Sequence, residues 1–402
     1  MAIHLKENWI ASLSLAMTEN MASSTKRKPT SQLKPREILG FHKTLDIWYC
    51  TNGRHDLPWR MTGDPYSIWV SEVMLQQTQV ATVRDRFYTP FLKTFPTIET
   101  LASAPRQKVL KAWEGLGYYR RAVHLHEAAK AVVRIESRES NEDFSPLPRA
   151  QRASLSRKRE RVKVKTSDSR LSILLSLPGI GKNTAHAILA FAYHEPYPVL
   201  EANVKRVIAR IFAQLSDKDL WQFADILLNR KNPFDHNQAM MDLGAMICTP
   251  KGPQCDSCPA NSICKGKQNP TAYPQKKVKK ATPTKHAYII VKRDARGRFF
   301  LTRRDAKLLG GFYGFEQHPR LPSPRRPESP SPLIQLSKEI TAYAGMAMEY
   351  LGSVKHVYSH FKLEAETVLV RVAPSNSNGW YTKTALKKLP LSKVDLKVLE
   401  LL

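Results

Sequence analysis

Long apolar runs are missing from these 402 residues. None approaches the roughly 18 that a bilayer-spanning helix needs, which excludes a helical membrane protein. Acidic residues are in short supply: 35 Asp and Glu stand against 63 Lys and Arg, a formal net charge of +28. Such an imbalance favours a polyanion, most simply nucleic acid, with RNA and anionic membrane surfaces also compatible with the charge. Cysteine is scarce, five in all, and four of the five fall within residues 248–264. The first residues show no small-residue cleavage pattern after a basic start, so an exported, disulfide-held chain is not expected. The composition is therefore read as that of a soluble protein of a reducing, cytoplasmic compartment, long enough for two or three domains with cores of their own.

What is present is organised around residues 177–264. The stretch opens with Leu177-Pro178-Gly179-Ile180-Gly181-Lys182-Asn183, a glycine turn between an apolar run and a helical pattern. Gly179 and Gly181 can take positive φ without a Cβ penalty. Backbone N–H groups then converge at the start of a helix, which makes an anion site suited to a DNA phosphate, with Lys182 adding a point charge. An ordinary helix–turn–helix corner has the same composition.

The stretch closes with Cys248, Cys255, Cys258 and Cys264, spaced C-x6-C-x2-C-x5-C. Thiolates this close together read as a metal site. Four of them suit a [4Fe–4S] cluster or a structural zinc. Zinc favours two short Cys pairs, whereas the single C-x2-C pair with longer loops beside it suits wrapping a cubane.

Together these features resemble the helix-hairpin-helix, iron–sulfur DNA glycosylases. Further matching runs are Leu57-Pro58-Trp59-Arg60, Ser71-Glu72-Val73-Met74-Leu75-Gln76-Gln77-Thr78, Gly115-Leu116-Gly117-Tyr118-Tyr119 and Asn237-Gln238-Ala239-Met240-Met241-Asp242-Leu243-Gly244. They are similar to the adenine DNA glycosylases, the MutY family. The resemblance implies a mainly α, helix-hairpin-helix glycosylase domain with an iron–sulfur loop, followed by a C-terminal α+β Nudix-like domain. The expected division is a disordered extension over 1–34, a helical domain over 35–267 and a basic linker over 268–285. A lesion-recognition domain over 286–402 completes it. Within the helical domain, 137–170 reads as a basic surface insertion, 173–193 as the hairpin and 248–264 as the cluster loop. Two strands, 287–292 and 298–303, are predicted around a turn, with a helix over 333–344 and further strands over 355–360 and 362–372.

By resemblance, Glu72 is the general acid, Glu201 the second carboxylate and Asn203 its neighbour that holds carboxylate and water. Gln238, with Trp59 and Arg60, lies at the extruded adenine. Gln77 and Tyr118 enter the duplex beside the lesion, while Gly179, Gly181, Lys182 and Lys205 grip its backbone. Tyr358, Ser359 and His360 meet 8-oxoguanine, and the four cysteines hold a [4Fe–4S] cluster. The implied partner is duplex DNA with A:8-oxoguanine or A:G mispairs, bound by a monomer. Read from residues alone, Glu72 is also compatible with a helix glutamate facing solvent or an Arg, and Cys50 reads as a small buried hydrophobe. His186, His194 and His236 lack ligand-like spacing and read as structural or surface residues.

Three further absences sharpen the reading. The family signature Asp-Gly-Asn is absent; Glu201-Ala202-Asn203 stands there, which keeps the charge but lengthens its arm. Position 183 is asparagine, where relatives with lyase activity carry a Schiff-base lysine, so a monofunctional enzyme is expected. Ala342 and Tyr343 stand where a Nudix box has paired acids, so recognition and not Mg²⁺-dependent hydrolysis is expected of the C-terminal domain.

Overall fold

The structure is a computed structural model that describes residues 33–142, 166–217, 219–275, 281–304, 310–319, 346–358 and 360–402. The N-terminal extension, most of the basic insertion, the predicted helix over 333–344 and Ser359 lie outside the described residues.

Two compact units divide the chain: Met1–Ala102 with Glu127–Lys277, and Ser103–His126 with Val278–Leu402. The first is helical. Helix α1 (Pro35–Asn52) carries Phe41, Leu45 and Tyr49 on one buried stripe. That spacing follows the helical period, so their neighbour Cys50 falls on the other face. It is exposed, which corrects its expected burial. Helix α2 (Pro65–Leu75) starts at Pro65 after Asp64, whose carboxylate caps it by accepting the Ser67 N–H. Ile68 and Trp69 of α2 are buried almost completely.

Further along the chain come α3 (Arg106–Ala112), α4 (Arg120–Glu142) and α5 (Thr166–Ser176). They are followed by α6 (Lys182–Ala192), α7 (Ala202–Ile211), α8 (Leu220–Leu227) and α9 (Pro233–Asp242). The helical path is broken between Leu227 and Pro233. Asn232 caps a new start and Pro233 occupies its first turn, where a missing N–H costs nothing. Ile68 of α2 packs with Ala187, Ala190 and Phe191 of α6 and with Val199 of the following loop. A second core joins the α1 stripe to Leu200, Val204 and Val207.

The second unit is built on a mixed sheet. Its strands are β1 (Thr284–Asp294), β2 (Phe299–Phe300), β3 (Thr302–Arg303), β4 (Tyr313–Gly314), β5 (Glu316–Pro319), β6 (Met348–Val357), β7 (Lys362–Val372) and β8 (Trp380–Tyr381). The order is β6-β7-β1-β2-β8, with β5 pairing β1 and a separate β3-β4 pair. β1 lies parallel to β7, while β6 is antiparallel to β7. Ile289 and Val291 of β1 enter one core and Tyr288 and Ile290 another, as the two-residue period of a strand buried on both faces requires. β6 ends at Val357, short of the expected 360, because the Tyr358 N–H bonds the Phe361 carbonyl at 2.8 Å and closes a turn. Helices α10 (Lys383–Leu386) and α11 (Lys393–Glu400) complete the unit.

Candidate active site

Residues 195–201 have no regular structure, so side chains must satisfy their backbone. The Asn183 amide oxygen accepts the Leu200 N–H at 2.7 Å. The Asn237 amide oxygen accepts the Val199 N–H at 2.8 Å, and its nitrogen donates to the Tyr197 carbonyl at 3.0 Å. His186 Nδ1 lies 2.8 Å from the Pro198 carbonyl, and burial depresses the His186 pKa to about 4. The hairpin helix and α9 therefore hold the loop that delivers Glu201. His186 is a structural histidine, as expected, and the amide at 183 has a structural task in addition to its lack of an amine.

Glu201 caps α7. Its two carboxylate oxygens accept the Asn203 N–H at 2.8 Å and the Val204 N–H at 3.1 Å. Negative charge is welcome at this positive helix end. The backbone at Glu201 is extended and Ala202 is already the first helical residue, so the loss of the family's glycine there strains nothing. Asn203 accepts from Arg206 Nη2 at 2.9 Å through its amide oxygen. Arg206 also donates to the carbonyls of Gly244, at 2.6 Å, and of the cysteine Cys248, at 2.7 Å.

Glu72 lies on α2 among Ile68, Trp69, Val73 and Met74. Desolvation pushes its pKa up to about 7; the nearby Glu201 carboxylate adds to the rise and Arg60 opposes it. Glu72 and Glu201 thus share one electrostatic neighbourhood, and Glu72 is half-buried there. Arg60 itself is pinned. Its two terminal nitrogens bond the carboxylate of Asp242 at 2.7 and 2.8 Å. The Arg54 backbone N–H and Nε reach the same group at 2.9 and 2.8 Å. Burial alone would raise the Asp242 pKa, but these bonds outweigh it and hold the group below the usual carboxylate range. Trp59 is buried with its ring edge-on to Tyr88, and Gln238 is buried on α9.

Asp242, Arg54, Arg206 and Gly244 do not stand out in the sequence as functional. A Cβ on Gly244 would stand 2.6 Å from the Asn203 Cβ, so glycine lets α7 seat against the residues after α9. Only Asp242 carries a local signal: a lone acid in the apolar run Ala239-Met240-Met241-Asp242-Leu243 needs a partner if buried.

At the hairpin turn Gly179 has φ +79°, as expected, but Gly181 is extended at φ −93°, a conformation open to any residue. Gly181 is instead the N-cap of α6. Lys182 sits over the Trp221 ring at 4.2 Å, and desolvation lowers its pKa. Lys205 is half-buried on α7. Gln77 is exposed with φ +58°, a left-handed backbone that glutamine adopts only at a cost.

The four cysteines Cys248, Cys255, Cys258 and Cys264 line one cavity, with Arg210 and Lys267 in its wall. Arg210 Nη1 points at the Cys248 sulfur from 3.2 Å. Burial, followed by the other thiols, raises Cys255 and Cys264 and takes Cys258 to about 12. Thiolates here need a positive centre. Among the described residues no three Cys, His, Asp or Glu side chains converge on a point that would hold one metal ion. Four thiols lining one cavity are a donor set that fits a cubane, whose irons each take one.

In the second unit Tyr118 is 49% exposed with φ +50°. Tyr358 stacks on Phe361 with ring centres 4.6 Å apart, and His360 is exposed. Gly311 is left-handed at φ +92°.

Residues 70–227 match the model of the HhH-GPD superfamily of base excision DNA repair proteins, and residues 286–401 match the NUDIX domain. An adenine DNA glycosylase of Buchnera aphidicola subsp. Schizaphis graminum is 29% identical, over 90% of this chain and 99% of that protein. The adenine DNA glycosylase of Homo sapiens is 37% identical over 58% of this chain and 40% of its own length. That of Buchnera aphidicola subsp. Baizongia pistaciae is 35% identical over 58% of this chain and 59% of its own. The chain thus spans nearly all of one relative and about half of the other two.

Proposed function

The chain belongs to the MutY family of adenine DNA glycosylases, and from that premise we propose that it excises adenine mispaired with 8-oxoguanine, or with guanine, from duplex DNA. The observation that carries the reading is Glu72, a desolvated carboxyl with a pKa near 7 beside the capping carboxylate of Glu201.

Breaking the N-glycosidic bond makes two demands. Adenine leaves poorly as an anion, so the base must gain a proton. Glu72, about half protonated at neutral pH, gives its proton to N7 as the C1′–N9 bond breaks. The bonding electrons go with the base. The sugar is left as an oxocarbenium-like cation, and the second carboxylate, Glu201, faces it electrostatically. Water then adds at C1′ and loses a proton, for which the ionised Glu72 is the available base. Asn203 orients carboxylate and water. Buried Gln238 and Trp59 suit the walls of a base pocket, and Arg60, tied to Asp242, suits the rigid rim of it. Gln77 and Tyr118, both exposed on left-handed backbone, suit filling the gap that an extruded base leaves. The glycine turn with Lys182 and Lys205 suits a phosphate grip, and Tyr358 to His360 the opposite base. We further propose that Cys248, Cys255, Cys258 and Cys264 would hold a [4Fe–4S] cluster, whose irons would bond the four thiolates, offset part of their charge and shape their loop. With Asn183 at the hairpin, the enzyme is monofunctional, acting as a monomer in a nucleoid-associated, cytoplasmic setting.

One observation favours a second reading, a lesion binder without turnover. Both Glu201 oxygens serve the α7 cap, and the extra methylene shifts the carboxylate by roughly 1 Å, a displacement worth about 10²-fold in rate. Single-turnover adenine release from an A:8-oxoguanine duplex decides. Release by the wild type, abolished in Glu72→Gln, supports the enzyme. Binding without release, restored in Glu201→Asp, supports the binder.

A further inference from the structure

Residues 103–126 lie inside the stretch that matches the HhH-GPD model, yet they pack with Val278–Leu402 in one compact unit. The contacts form a closed ring. Glu114 Oε1 accepts the Leu391 N–H at 2.8 Å, and its other oxygen takes the Lys111 ammonium at 2.6 Å. Lys111 also donates to the Leu389 carbonyl at 3.0 Å. These two side chains clamp the backbone on either side of Pro390. The Pro390 carbonyl in turn accepts the Tyr313 N–H at 3.0 Å. The neighbouring Phe312 is fully buried, and its ring centre lies 4.2 Å from that of Tyr119. The Tyr119 hydroxyl accepts the Gly115 N–H at 3.4 Å, which returns the ring to the residue next to Glu114.

The turn enclosed by this ring presents Tyr118 to solvent. Gly115 and Gly117 supply φ of +91° and +83°, so the turn has little stiffness of its own and needs outside support. A half-exposed ion pair such as Lys111–Glu114 gives little. The bond to Leu391 differs, because Leu391 is completely buried and its N–H would otherwise be left unpaired. The phenols of Tyr119 and Tyr358 also fall within each other's electrostatic range, and both feel the Asp395 carboxylate.

We propose that Glu114 is a positioning residue that fastens the 115–119 turn to the C-terminal domain, so that reading of the opposite base and insertion of Tyr118 into the duplex are coupled. The coupling rests on the roles proposed above for Tyr118 and Tyr358; the fastening does not.

The test uses the full chain with Glu114→Gln and Glu114→Ala. In hydrogen exchange of the DNA-free protein, amides of 115–119 and those of Leu389 and Leu391 should speed up together, by about fivefold or more in Glu114→Ala and less in Glu114→Gln. Faster exchange at Leu389 and Leu391 alone overturns the fastening. In single-turnover kinetics, the preference for adenine opposite 8-oxoguanine over adenine opposite guanine should fall about fivefold in Glu114→Gln. Equal slowing on both duplexes marks a merely structural role and overturns the coupling. If the wild type itself shows no preference, the role of Tyr358 fails, while the exchange result still decides the fastening. Should Glu114→Ala not fold, Glu114→Gln carries both measurements.

Discussion

A carboxyl group taken out of water beside a second carboxylate resists ionisation, and Glu72 is such a group. Its raised pKa, about 7 against an ordinary value near 4.5, penalises only the charged form. Linkage sets the sign of the stability effect. A folded-state pKa above the unfolded one contributes stability that is fully present below the unfolded value and is lost as pH rises through about 7. Glu72→Gln removes that loss. In urea unfolding, the variant should gain on the wild type by roughly 2–3 kcal/mol between pH 4.5 and pH 8. Adenine release by the wild type should meanwhile decline above pH 7 as the acid form disappears. A stability difference that does not change with pH would mean that Glu72 ionises freely. Glu201 is held differently: two backbone donors at a helix end engage both of its oxygens. The two carboxyls sit in unlike surroundings that suit opposite roles.

At the scale of elements, the site depends on how closely α7 approaches the end of α9. Gly244 makes that approach possible, and the Arg206 guanidinium spans Asn203, Gly244 and Cys248 across it. A methyl at position 244 would collide with the Asn203 backbone, which cannot swing aside as a long side chain can. Gly244→Ala should therefore destabilise the chain by about 1–3 kcal/mol, as overpacking does. It should also displace Asn203 and slow adenine release by more than the stability loss explains. Thermal unfolding together with single-turnover rates at a temperature where the variant is fully folded separates the two effects. Much at this scale is legible in the sequence. The helical stripe of Phe41, Leu45 and Tyr49, the hairpin glycine at 179 and the strand over 362–372 follow local periods that the chain carries openly. Residue type alone misplaces Cys50, because a helix face is set by the angle between neighbours as well. Composition over-reads Gly181, because it marks a turn without saying which glycine needs the left-handed conformation.

For the whole molecule, the cysteine loop raises the question of what keeps a thiol-lined cavity open. Few apolar side chains of residues 248–264 are buried: Cys248, Ala260 and Ile263 join the main core. A bound cluster would therefore contribute folding free energy to this region, since metal binding to thiols that resist ionisation is coupled to folding. Purified protein should contain about four iron atoms per chain and be coloured. Removing the iron with a chelator should lower the unfolding temperature, and Cys258→Ala should lose iron and stability together. A colourless protein holding zinc would overturn the cluster assignment.

The sequence by itself determined the class of partner, through a net charge of +28, the four-cysteine motif, the hairpin turn and the division into a helical and an α+β portion. These are properties of composition and of short spacings, which the chain states without folding. Tertiary structure decided the rest. It paired Asp242 with Arg54 and Arg60 across more than 180 residues, brought Gly244 against Asn203, and turned Glu201 into a helix cap beside Glu72. It also packed residues 103–126 with the C-terminal domain. No local period encodes such pairings, because each depends on where distant backbones meet and on which buried group is left needing a partner.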